Sequence, residues 1–229
     1  YPRDDTLRLI GIDPASVVMR AAGGQDIALD ILGADGVTEG RITLLGALQG
    51  PQYSVARIVF DTGIIWESTD FASRVIAQAA TAGADRLTGS SGADTLAGGL
   101  GDDYMAGGLG DDTYRYAKGD GDDQILDTAG SDRLEISGFA RSEAEFTRRG
   151  MNGADLVIRL ADGATLTLIG ALTTAGRGIE EIRFADTGEV VTIAEIPALL
   201  LAGQSDAGDN VVLGSAADDL LRGGAGDDL

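Results

Sequence analysis

Cysteine and histidine are both absent from this 229-residue chain, and lysine occurs once, at Lys118. Without cysteine there are no disulfides and no thiolate nucleophile. Without histidine the commonest general base is missing, and zinc loses its preferred ligands along with the thiolates. We therefore expect no enzyme activity in the chain. Basic residues are scarce as well: 17 Lys and Arg stand against 37 Asp and Glu, for a net charge of −20 and a pI near 4.1. Such a balance argues against nucleic acid and against anionic membranes, where basic patches supply the affinity. No run of about 18 apolar residues occurs, so membrane insertion is not expected, and no secretory leader pattern is visible. Apolar residues still make up 44% of the chain, enough for sizeable cores.

Glycine and aspartate, by contrast, are abundant and periodic. From Ala80 onward six nonapeptides follow one another: ATAGADRLT, GSSGADTLA, GGLGDDYMA, GGLGDDTYR, KGDGDDQIL and DTAGSDRLE, interrupted only by Tyr116-Ala117. They share the form Gly-Gly-x-Gly-x-Asp-x-apolar-x. Glycine at the first, second and fourth places lets six residues close a tight turn. The last three residues have room for a short strand only. Its central residue (Leu87, Leu96, Met105, Tyr114, Ile125 or Leu134) points inward while its neighbours point out. Turn and strand then alternate in a coil with two turns per lap.

In such a coil, turns two repeats apart stack on one side. The sixth-position aspartates pair as Asp85 with Asp103, Asp94 with Asp112, Asp103 with Asp123, and Asp112 with Asp132. Stacked carboxylates repel unless a cation lies between them. Calcium suits the gap, because it takes six to eight oxygens from carboxylates and carbonyls. About four or five ions are expected in the tract. The plain alternative is a flexible acidic linker that binds nothing, but six copies in phase, each with an apolar residue two places after its aspartate, favour the coil.

The segments flanking the coil resemble each other. Asp5-Thr6-Leu7 matches Asp132-Arg133-Leu134, TLLGAL (43–48) matches TLIGAL (167–172), and RIVFDTG (57–63) matches EIRFADTG (181–188), at an offset of about 124 to 127 residues. Both flanks read as β: Asp155 to Leu160 and Thr165 to Ile169 surround an Ala-Asp-Gly turn, the mark of a hairpin. Ile179 to Phe184 reads as another strand. Val190 to Leu201 starts as strand and ends as helix, and Ser68 to Ala82 is helix-like. Trp66 and Phe71 are expected in the first flank's core. Glu143 to Arg149 and Glu180 to Arg183 read as ordinary polar faces. GSAADDLLR and GGAGDDL (214–229) begin another nonapeptide tract. The expected organisation is a flank over 1–79, the coil over 80–136, a second flank over 137–204, and a further tract over 205–229. The chain begins at Tyr1 and stops at Leu229 within a nonapeptide, so we expect a segment of a longer protein that contains further tandem copies of the unit.

These repeats, and GDDTYRYAKGDGDDQILDTAGSDRLEISG (110–138) with the DLVIRLADGATLTL that follows, resemble the RTX (repeats-in-toxin) proteins of Gram-negative bacteria. This stretch closely resembles the end of an RTX block and its capping segment in toxins of the adenylate cyclase type. The second flank also resembles the haemolysin-type calcium-binding related domain. The resemblance implies an all-β protein: a calcium-loaded parallel β-roll flanked by small, mostly-β capping domains. It implies secretion through a type I apparatus to the cell surface or medium, with the roll disordered at low calcium and folded outside the cell. It implies Ca²⁺ ligands at the carboxylates of Asp85, Asp94, Asp103, Asp112, Asp123 and Asp132, and at the carbonyls of Gly83, Gly92, Gly99, Gly101, Gly108, Gly110, Gly119, Gly121 and Gly130. In the last tract it implies Asp219, Gly224, Gly226 and Asp228. Ala80-Thr81 and Asp127-Thr128 depart from the Gly-Gly pair, and Ala217 replaces a fourth-position glycine. The tandem flanks favour an extended adhesin or surface protein as the parent. The alternative is a secreted toxin or hydrolase with its catalytic domain elsewhere. Asp13-Pro14 is a bond type that some self-processing modules of such proteins cleave, and otherwise reads as a simple turn.

Overall fold

A computed structural model describes residues 5–49, 53–149, 153–172 and 178–202. Among the described residues strands predominate, with two short helices and no closed barrel. The first flank opens with β1 (Thr6–Leu9). A 3-10 turn at Pro14–Ser16 follows, where the Asp13 carboxylate accepts the Ala15 N–H at 2.9 Å. Three antiparallel strands come next: β2 (Val17–Ala21), β3 (Ile27–Leu32) and β4 (Thr38–Leu44). The chain then returns as β5 (Arg57–Phe60), parallel to β1, and β6 (Ile65–Glu67), antiparallel to β5, before α1 (Phe71–Ala79). The core of this flank holds Met19, Ile27, Leu29, Ile58, Phe60, Trp66 and Phe71. Trp66 is buried against Phe60, with ring centroids 4.8 Å apart, as its apolar surface demands.

Each nonapeptide supplies one strand: β7 (Arg86–Thr88), β8 (Thr95–Ala97), β9 (Tyr104–Ala106), β10 (Thr113–Ala117), β11 (Asp123–Leu126) and β12 (Arg133–Ser137). Odd and even copies separate into two stacks. β7, β9 and β11 pair in parallel, as do β8, β10 and β12. The central residues Leu87, Leu96, Met105, Tyr114, Ile125 and Leu134 are all buried between the two stacks. Copies two apart therefore lie one layer apart.

The second flank does not sit beside the coil but continues both of its sheets. It contributes β13 (Ala144–Arg149), β14 (Asp155–Leu160), β15 (Thr165–Leu168), β16 (Glu181–Phe184), β17 (Val190–Thr192) and α2 (Ile196–Ala202). β15 pairs in parallel with β11, and β16 in parallel with β12. The result is one sheet of order β13-β14-β15-β11-β9-β7 and another of order β17-β16-β12-β10-β8. At the other end of the coil, Ile76 of α1 joins the same core as Leu87 and Leu96.

The two flanks share one plan. In the first, β1-β5-β6 and β2-β3-β4 repeat the arrangement of β12-β16-β17 and β13-β14-β15. Leu7 opposes Ile58 as Leu134 opposes Ile182. The run from Glu143 to Arg149, expected as a polar face, is largely β13: Ala144 and Phe146 alternate inward against β14, and two apolar residues among charges suffice for one buried edge.

Candidate metal centre

The stacked turns are tied together by one hydrogen bond repeated four times. The N–H groups of Asp85, Asp94, Asp103 and Asp112 donate to Oδ1 of Asp103, Asp112, Asp123 and Asp132 respectively, at 2.8, 2.8, 2.9 and 2.8 Å. All four expected aspartate pairs are thus brought together. The turns approach so closely that a Cβ on Gly130 would overlap the Gly110 carbonyl oxygen. Gly83, Gly92, Gly101, Gly110, Gly121 and Gly130 occupy equivalent places in this stack, two copies apart, and Gly99, Gly108 and Gly119 adopt positive φ beside them. Two of the expected carbonyl ligands already accept a hydrogen bond, Gly108 from Thr128 Oγ1 and Gly121 from the Tyr116 hydroxyl. A carbonyl has a second lone pair left for another partner.

The other carboxylate oxygen of each pair divides the aspartates into two groups. In the first turn of each stack it is satisfied locally: Asp85 Oδ2 accepts from Thr81, and Asp94 Oδ2 from Ser90. In the turns that follow, Oδ2 of Asp103, Asp112, Asp123 and Asp132 is buried with no donor, and each of these residues is 1% exposed. Four orphaned oxygens match the four stacked pairs. Burial pushes the Asp112 and Asp132 carboxyls up to about 6 and that of Asp123 up to about 7. Backbone N–H bonds oppose this, and the neighbouring carboxylates add to it. Asp103 is raised for the same first reason. A buried carboxylate without a donor is costly unless it takes a proton or a cation. A row of hard oxygens with tight-turn carbonyls beside it fits calcium.

Two acidic residues beyond the expected ligands join this arrangement. Asp127 is buried beside Asp112 and Asp132. Its signal in the sequence was the break in the Gly-Gly pair. Glu180 extends the even stack by one layer. The Asp132 N–H donates to Glu180 Oε2 at 2.7 Å, and the Glu181 N–H to the Asp132 carbonyl at 3.2 Å. The layer below makes the same two bonds, from Asp112 N–H to Asp132 Oδ1 and from Arg133 N–H to the Asp112 carbonyl. In that register Gly178, Glu180 and Ile182 stand at the fourth, sixth and eighth places of a degenerate nonapeptide. The odd stack has no such continuation, because Leu166 of β15 lies opposite Asp123. Asp219, Gly224, Gly226 and Asp228 lie outside the described residues.

Four copies of the RTX calcium-binding nonapeptide repeat match the chain, over residues 80–114 and 204–229. The first matched stretch ends inside β10, and the fifth and sixth copies continue both stacks beyond it. No curated protein matches the chain at a significant level.

Proposed function

Since the chain carries RTX calcium-binding nonapeptide repeats, we propose that it is a calcium-dependent folding module: a parallel β-roll, loaded with Ca²⁺ along both rows of turns and closed by β-rich caps, within a larger secreted protein. The observation that carries this reading is the row of four buried, donorless aspartate oxygens in stacked pairs. Without cation or proton, these charges oppose folding, and three-residue strands bury too little surface to offset the chain entropy. With calcium, binding free energy becomes folding free energy. A chain that stays unfolded where calcium is scarce remains threadable through a type I export channel and orders where calcium is plentiful. No helix among the described residues is long and apolar enough to cross a membrane. The module is structural and not catalytic. The shared plan of the two flanks supports a parent built as a tandem array, an extended extracellular scaffold or adhesin.

Far-ultraviolet circular dichroism across a calcium titration, with magnesium as control, tests the reading. A cooperative gain of β signal with calcium alone is expected. An unchanged β spectrum between chelator and millimolar calcium would overturn it.

A further inference from the structure

The layer that the sixth nonapeptide adds to the even stack is chemically unlike the others. Asp127 stands at the first place of its copy, where the second, third and fourth copies have glycine. Its side chain turns into the interior toward Gly107, where a Cβ would overlap Asp112 Oδ2 and stand 2.6 Å from Asp127 Oδ2. Asp112, Asp127 and Asp132 each offer an oxygen, and these oxygens lie within 4.8 Å of one another. All three residues are buried, at 4% exposure or less.

The hydrogen bonds around this cluster orient it without neutralising it. Asp127 Oδ1 accepts the Ala129 N–H at 3.1 Å, and Asp127 Oδ2 accepts the Tyr114 hydroxyl at 2.5 Å. The Tyr114 oxygen in turn accepts the Gly107 N–H at 2.7 Å. With all three carboxylates ionised, Asp112 Oδ2 and Asp132 Oδ2 have no donor, and the carboxyls of Asp127 and Asp132 hydrogen-bond to each other only when one of them holds a proton. The partners are backbone amides and one phenol, with no cationic side chain among them. Three carboxylates in one buried pocket repel more strongly than two, and a divalent cation among them is held by one more charge.

We propose that Asp112, Asp127 and Asp132 form a three-carboxylate calcium site, with Asp127 held by the Tyr114 hydroxyl, and that this site fills before the two-carboxylate gaps elsewhere in the stacks. The assignment rests on the calcium reading above and adds a ligand that the nonapeptide pattern lacks. Ligand charge count is a main determinant of calcium affinity, so the extra carboxylate sets this site apart.

Stepwise calcium binding to the full chain, followed by isothermal titration, tests it in the wild type, in Asp127→Asn and in Glu145→Gln, an exposed residue that loses the same charge. The wild type should bind one ion more tightly than the rest. Asp127→Asn should weaken that step by about tenfold and leave the others, while Glu145→Gln should leave every step in place. Wild-type steps of equal affinity, or an Asp127→Asn profile matching the wild type, would overturn the assignment while the calcium reading stands. A wild type that takes up no calcium overturns both. Should Asp127→Asn not fold, Tyr114→Phe keeps all three carboxylates. At one equivalent of terbium, emission excited through tyrosine should drop severalfold in Tyr114→Phe, and equal emission would overturn the assignment.

Discussion

Gly119 and Gly121 share one turn and both have positive φ, at 97° and 124°, yet replacing them with alanine should have different consequences. A Cβ at Gly119 meets nothing within 4 Å, so Gly119→Ala bears only the left-handed penalty of about 1–2 kcal/mol. A Cβ at Gly121 overlaps the Gly101 carbonyl oxygen of the turn below. The two turns must part, and the bond from the Asp103 N–H to Asp123 Oδ1 parts with them. Gly121→Ala should therefore cost roughly 3 kcal/mol or more. Urea unfolding in saturating calcium checks the pair, and equal losses would contradict the close stacking of the turns. Asp30 in the first flank makes a different case. It is buried and bonded to Arg41 at 2.5 and 3.1 Å and to Arg20 at 3.4 Å. The Arg41 hydrogen bond holds its carboxyl below the ordinary value, against the opposing effect of burial. Both arginines are more than half exposed, so removing the aspartate leaves two solvated cations and no buried charge. Asp30→Ala should cost about 1–2 kcal/mol at neutral pH. That stability is present above the unfolded carboxyl value and is lost as pH falls through the lower folded one, so thermal midpoints of wild type and variant should converge in acid.

At the scale of elements, the coil was legible because its two constraints are local. A glycine turn and one inward residue per strand recur in every copy, and the stacking of copies two apart follows from them. The likeness of the flanks was legible too, and Leu7 opposite Ile58 repeats Leu134 opposite Ile182 in three dimensions. The sharing of sheets was not legible. β15 and β16 join β11 and β12 across long separations, and no local pattern in Thr165–Leu168 announces a parallel partner. β13 was hidden by its charges, and Glu180 was hidden because glutamate stands where aspartate was sought. Asp127 appeared as a defect in the repeat, since a sequence pattern does not show which way a side chain turns. The added layer carries its own consequence. Glu180→Ala removes the acceptor of the Asp132 N–H, a loss of about 1 kcal/mol. Native-state hydrogen exchange should show the Asp132 amide becoming fast in this variant while that of Asp112, bonded one layer below, stays slow. Unchanged protection of Asp132 would separate the flank from the even stack.

The whole molecule carries a charge of −20, and its most strongly raised carboxyls are concentrated in the coil. Calcium and protons are therefore two ways of relieving the same repulsion. In chelator, Asp112 and Asp132 titrate near 6 and Asp123 near 7 in the fold, against about 3.9 in the unfolded chain. The metal-free fold thus binds more protons than the unfolded chain between about pH 4 and 7. Stability from these groups is fully present below the unfolded value and is lost as pH rises through 6 to 7. The chelated protein should show more β signal at pH 5 than at pH 8, and saturating calcium should remove the difference. Calcium should also bind more weakly at pH 5, because each ion must displace protons from its ligands. General relief of the net charge acts in the same direction, so Asp123→Asn separates the two causes. A permanently neutral side chain at that place should reduce the pH dependence in chelator by removing the contribution near pH 7, leaving that of Asp112 and Asp132, whereas Glu145→Gln, with the same change of net charge, should leave it whole. If the chelated wild type gives one spectrum at both pH values, the buried carboxylates are not what keeps the metal-free chain from folding, and the calcium switch must lie outside these turns.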